Sequence, residues 1–216
     1  MEHKTLLIFD LDGTLLNTIV DLGEACNYAL QKMGFAEHPI SAYNFMVGNG
    51  VRNLLQRSHP DATPEELEQL LTYFRDYYDD HCTVHTSPYP GIPELLEKLV
   101  ERKINLAVCS NKYQKAVDKI ISHYFPDIHF AAVVGNQDGY PVKPDPSSLF
   151  SVLLQFPTPK QQVLMIGDSA VDIETARRAC VDSAGVSWGF RPVSELRRAN
   201  AGTIIYKPEE ILNIID

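Results

Sequence analysis

The stretch IFDLDGTLLNT, residues 8–18, is an apolar run that stops on two aspartates spaced i, i+2, Asp10 and Asp12, followed at once by Gly13 and Thr14. Taken alone it is a strand running into a turn, since Asp-Gly is a common turn dipeptide. The remaining apolar runs decide what kind of sheet that strand joins. They are Thr5 to Phe9, Ile104 to Cys109, Phe130 to Val134, Gln162 to Ile166, Ala184 to Ser187 and, more weakly, Thr203 to Tyr206. Each has the length of a buried strand. Between them lie the helix-like segments GIPELLEKLVERK, YQKAVDKIISHYF, DPSSLFSVLLQF and SAVDIETARRAC. Strands alternating with helices predict an α/β fold, a doubly wound (Rossmann-like) parallel sheet covered on both faces.

The interval between the first two strands is far longer than a crossover helix requires. It reads as helical: DLGEACNYALQKMGF, a short piece around SAYNFM, VRNLLQRS, and PEELEQLLTYFRDYYDDH, the last starting with Pro64 and two glutamates as a helix should. An α-helical cap inserted after the first strand is therefore expected over 17–85, with 1–16 plus 86–216 forming the Rossmann-like core and SPYPG at 87–91 as the returning linker. No internal repeat or low-complexity tract interrupts this plan.

Composition narrows the function classes. The chain has 216 residues, 44% of them hydrophobic, enough for a full core, and a formal net charge of −9 with no long basic run. That disfavours nucleic-acid and anionic-membrane partners. Cys26, Cys82, Cys109 and Cys180 form no CxxC pair, which suits reduced, mostly buried thiols in a cytoplasmic protein. No apolar run reaches about 18 residues and no export signal opens the chain.

Ligands of open parallel sheets sit beyond the carboxyl ends of the strands. There the first strand presents Asp10 and Asp12, the second Ser110 and Asn111, and the fourth Asp168 and Asp172 of IGDSAVD; Lys143 stands in PVKPDP. Singly, each has a plain alternative: a strand-ending turn for Ser110 and Asn111, a solvated lysine for Lys143, a helix cap for Asp168 and a surface charge for Asp172. Together they need an explanation, because clustered carboxylates oppose one another's ionisation. A hard divalent cation relieves that, and oxygen ligands without histidine or thiol suit Mg2+. The serine hydroxyl, backbone amides and the lysine then match a phosphoryl group.

DxDGT, a Ser-Asn strand end, a downstream lysine and GDSxxD, in this order over nearly the whole chain, resemble the haloacid dehalogenase superfamily of phosphatases. That resemblance implies a magnesium-dependent phosphomonoesterase with Asp10 as nucleophile, passing through an aspartyl-phosphate, and Asp12 as general acid and then base. It further implies magnesium held by the Asp10 side chain, the Asp12 main-chain carbonyl and Asp168, with Ser110, Asn111 and Lys143 at the phosphate and Asp172 behind them, holding a metal-bound water or orienting Lys143. The chain departs from the family where Asn17 precedes Thr18, a place the family often gives to Asp.

VGNG in the expected cap, PGIPELLEKL and GVSWGFRPVSEL are similar to phosphoglycolate phosphatases, which implies 2-phosphoglycolate as the small-molecule phosphate ester. Arg52, directly after the GNG turn, is the candidate reader of its carboxylate, with Lys112 as the rival cation. Inorganic pyrophosphatase and sugar-phosphate phosphatase activities share the scaffold. A phosphomutase is disfavoured because the mutases it resembles carry a histidine near the position of Leu22. A non-enzymatic phospho-receiver needs no helical insertion of this size. Either a monomer or a homodimer is compatible with the sequence.

Overall fold

The computed structural model describes residues 3–215. Six strands, β1 (Leu6–Phe9), β4 (Asn105–Tyr113), β5 (Ala132–Asn136), β6 (Val163–Gly167), β7 (Asp182–Val186) and β8 (Thr203–Ile205), form one all-parallel sheet in the order β5-β4-β1-β6-β7-β8. Counted by chain order within the sheet this is 3-2-1-4-5-6, the doubly wound order whose reversal point lies between the first and fourth members. Here those are β1 and β6, paired from Leu6 with Val163 to Phe9 with Ile166.

β1 shows why the sheet is buried on both faces. All four of its residues are inaccessible; Leu7 and Phe9 join one apolar cluster and Leu6 and Ile8 the other, as the two-residue period of a strand dictates. Helices α4 (Ile92–Glu101), α5 (Gln114–Tyr124), α6 (Ser147–Gln155), α7 (Ala170–Ala179) and α8 (Val193–Arg198) accompany the strands. The short α8 had no counterpart among the expected helices. β4 also outruns its expected end at Cys109: the backbone stays extended to Tyr113 across a shift in its pairing with β5. Ser110, Asn111 and Lys112 thus lie on a strand and not in a loop.

Between β2 (Leu16–Asn17) and β3 (Ser87–Pro88), a two-residue antiparallel pair, the chain is helical: α1 (Ile19–Lys32), a 3₁₀ segment (Ile40–Phe45), α2 (Val51–Ser58) and α3 (Pro64–His81). The start of α3 is fixed by a reciprocal cap, Glu66 N donating to Thr63 Oγ1 at 3.2 Å and Thr63 N to Glu66 Oε2 at 2.8 Å, with Pro64 in the first turn. At the root of the insertion buried Asp21 accepts bonds from His85 N, Thr86 N and Thr86 Oγ1 at 2.7–2.9 Å, tying α1 to the returning strand. Among the described residues no helix is long and apolar enough to cross a membrane.

Candidate active site

Three of the expected groups, Asp10, Asp172 and Asn111, converge on Lys143. Its Nζ, buried, donates to Asp10 Oδ1 at 2.9 Å, to Asp172 Oδ1 at 2.7 Å and to the Cys109 carbonyl at 2.8 Å, which engages all three ammonium hydrogens. Asn111 fixes the lysine's backbone from both sides, accepting from Lys143 N at 2.7 Å and donating to its carbonyl at 3.0 Å. The same Asn111 amide donates to the Gly48 carbonyl of the inserted helices at 2.9 Å. Its side chain therefore holds the lysine segment and the VGNG loop in place; the phosphate contact expected of it has no amide hydrogen left. Asp172 is engaged at both oxygens, its Oδ2 accepting from Ser169 Oγ at 2.8 Å and Ser169 N at 3.2 Å, so its contacts are with Lys143 and the start of α7.

Asp10, Asp168 and Asp172 bring carboxylate oxygens within 4.8 Å of one another, all three buried. Asp168 Oδ2 accepts from Phe190 N at 2.7 Å. Asp10 Oδ2 and Asp168 Oδ1 make no hydrogen bond among the described residues. Burial, against the attraction of Lys143 and with the repulsion of Asp172 and Asp12, pushes the Asp10 carboxyl up to about 7 from 3.8. Asp168 is likewise pushed well above the usual range, by burial first and then by Asp172 and Asp10. Burial works to neutralise Lys143, yet Asp10 and Asp172 keep it charged, above an ordinary lysine. Asp10, Asp12, Asp168 and Asp172 against Lys143 and Lys112 leave a formal excess of two negative charges. A hard divalent cation on the two open carboxylate oxygens fits both this charge and this donor chemistry.

Close packing around Asp168 sets the room available. Gly13 has φ +87°, and a Cβ there would lie 2.4 Å from Asp168 Oδ2. Gly13→Ala should therefore incur both backbone strain and displacement of Asp168, lowering stability by about 1–3 kcal/mol in denaturant titrations. Wild-type stability in that variant would contradict the packing argument.

Asp12 has a different environment. Its Oδ1 accepts from Thr18 Oγ1 at 2.7 Å and pairs with Lys112 Nζ at 3.0 Å. Lys112 Nζ also donates to Tyr78 Oη on α3 at 2.8 Å. Asp10, Asp12, Ser110 and Lys112 open together onto a cavity of ≈ 50 Å³ whose far wall is Leu22, Val47, Val51, Leu54 and Phe74 of the insertion. Arg52 does not line it. α2 turns Val51 and Leu54 inward, which places Arg52 outward, paired with Glu68 and half exposed. Thr18 and Tyr78 were not foreseen from the sequence. Thr18 directly follows the departure at Asn17, whose side chain accepts from Ile19 N at 3.4 Å. Cys109 is a buried thiol, pushed up by burial, at 3.3 Å from Ser148 Oγ, and Cys180 is exposed where most cysteines were expected inside.

Residues 7–186 match the family described as haloacid dehalogenase-like hydrolase. The chain belongs to the haloacid dehalogenase-like hydrolases. A phosphoglycolate phosphatase of Psychrobacter arcticus is 33% identical over 205 residues, 91% of this chain and 89% of that protein. One of Aquifex aeolicus is 30% identical over 211 residues, 98% of this chain and 96% of that protein. Among solved structures, a predicted phosphoglycolate phosphatase from Haemophilus somnus superposes with a TM-score of 0.92 at 28% identity, each chain covered completely.

Proposed function

We propose that this chain is a magnesium-dependent phosphomonoesterase that hydrolyses 2-phosphoglycolate to glycolate and phosphate through an aspartyl-phosphate on Asp10. The observation that carries this is Asp10 itself: one oxygen is held by Lys143, and the other is free beside a cavity that also exposes Ser110 and Asp12. Asp10 attacks phosphorus, Asp12 delivers a proton to the departing glycolate oxygen, and Asp12 then takes a proton from the water that cleaves the acyl phosphate. Lys143 keeps Asp10 aligned and, with the Ser110 hydroxyl, opposes charge developing on the transferring oxygens. Asp10, Asp168 and the Asp12 carbonyl would hold magnesium, which when bound supplies Lewis-acid stabilisation of a phosphoryl oxygen. The relatives named above support the choice of substrate. A panel of phosphate esters and pyrophosphate, assayed by phosphate release with Mg2+ and with chelator and ranked by kcat/KM, tests it; 2-phosphoglycolate should rank first, and another ester or pyrophosphate ahead of it would displace this choice.

The buried carboxylates also make magnesium visible in stability. In the unfolded chain Asp10 ionises near 3.8, whereas in the folded chain it holds its proton to about 7. The unfolded state therefore binds fewer protons in that window, and metal-free stability should fall as pH rises from about 4 to 7 and stay low above it. Magnesium offsets the repulsion only where the carboxylates are ionised. Thermal melts should show a larger Mg2+-dependent gain in Tm at pH 8 than at pH 5; equal gains at both would contradict the assignment.

A further inference from the structure

We infer that Lys112, and not Arg52, reads the substrate's second anionic group, and so makes the site selective for phosphate esters of very small carboxylic acids. This rests on the phosphatase reading above and specifies it. Lys112 is the only cation lining the cavity over Asp10 among the described residues. It is buried at 7% exposure; its ammonium donates to Tyr78 Oη at 2.8 Å and forms an ion pair with Asp12 Oδ1 at 3.0 Å. Those two contacts leave at least one of its three ammonium hydrogens without a protein acceptor among the described residues.

The surroundings say what that donor can meet. With phosphorus at Asp10 and Ser110, the organic part of an ester extends into a cavity of ≈ 50 Å³ that faces the apolar wall of Leu22, Val47, Val51, Leu54 and Phe74. That wall offers no hydrogen-bonding side chain, which disfavours the hydroxyl-rich body of a sugar phosphate. At the edge of the cavity stand a buried ammonium and the Tyr78 hydroxyl, both anchored. Burial and the nearby Asp12 hold the Tyr78 phenol neutral, so it remains a donor or acceptor and never a competing anion. A carboxylate one or two carbons from the ester oxygen satisfies the spare Lys112 donor in a low-dielectric place where a charged contact is strong. The ring of Tyr78 under the ammonium, 4.7 Å from Nζ to centroid, keeps the long side chain from swinging away.

The test compares 2-phosphoglycolate with ethyl phosphate, which has two carbons and no carboxylate. The unaltered protein should favour 2-phosphoglycolate by roughly 100-fold or more in kcat/KM, mostly through KM, and Lys112→Met should reduce that preference by about 100-fold. Any loss of Asp12 positioning lowers both substrates together and leaves the ratio unchanged, so the ratio isolates the carboxylate contact. Lys112→Arg, which keeps the charge, should recover part of the preference. A preference near one in the unaltered protein, or one that survives Lys112→Met, would overturn the assignment. So would a selective loss in Arg52→Ala with none in Lys112→Met, which returns the role to Arg52. Hydrolysis of ethyl phosphate without preference leaves the phosphatase reading standing while this inference falls; hydrolysis of neither ester removes both.

Discussion

Asp10→Asn should abolish steady-state phosphate release, by on the order of 10⁴-fold or more, while the protein folds normally. The reason is local and twofold. An amide oxygen can still accept the hydrogen bond from Lys143 Nζ, now at 2.9 Å to Asp10 Oδ1, so the buried lysine keeps its three acceptors and the strand end keeps its shape. What is lost is the free second carboxylate oxygen, which the amide replaces with a group that neither attacks phosphorus nor binds a hard cation well. The stability outcome has a definite sign. Asp10 is pushed up to about 7 by burial, so its ionised form costs the folded state above neutrality, and the variant removes that cost. At pH 8 without metal its Tm should equal or exceed that of the unaltered protein, and the Mg2+-dependent gain in Tm should shrink. Steady-state turnover retained in a well-folded Asp10→Asn protein would rule out the covalent mechanism.

Much of this arrangement is legible in the sequence, and for a physical reason. A doubly wound sheet places the ends of its parallel strands on one edge, so polar residues immediately after apolar runs must gather there; Asp10, Asp12, Ser110 and Asp168 are such residues. Helices α1, α2 and α3 between β1 and β4 followed from periodicity and, for α3, from its start signals. What pattern alone cannot give is which way a side chain points when cations on two different elements both carry suitable chemistry. Arg52 and Lys112 are that case. Arg52 follows a glycine turn and is sequence-adjacent to the cavity-lining Val51, but one residue along a helix is a rotation of about 100°, which carries it to the outside. Lys112 lies past the expected strand end at Cys109, yet β4 continues through it, and its partner Tyr78 arrives from 34 positions away. Asn111 shows a related limit: its type suits a phosphate, yet its amide is fully engaged by Lys143 and Gly48.

Asp12→Asn should separate the two proton transfers from the phosphoryl transfer. Oδ1 of Asp12 accepts from Thr18 Oγ1 at 2.7 Å, a bond that an asparagine oxygen also accepts, and lies 3.0 Å from Lys112 Nζ, so the side chain should stay where it is. Its replacement removes the transferable proton together with the charge that pairs with Lys112, and the lost proton alone is typically worth about 10² to 10⁴ in rate for each step it serves. Magnesium affinity should change little, since the expected ligand at this position is the backbone carbonyl. The choice of substrate then tells the two steps apart. Glycolate leaves as a strongly basic alkoxide and needs the proton, so 2-phosphoglycolate should stall before the phosphoenzyme forms. Nitrophenolate leaves without one, so 4-nitrophenyl phosphate should still phosphorylate Asp10 and then wait for a water that has lost its base. Rapid mixing should therefore give a burst of nitrophenolate close to one equivalent per enzyme followed by slow turnover, with no burst of glycolate from 2-phosphoglycolate. A large loss of magnesium binding with only a modest loss of rate would reverse the roles given to the side chain and the carbonyl of Asp12.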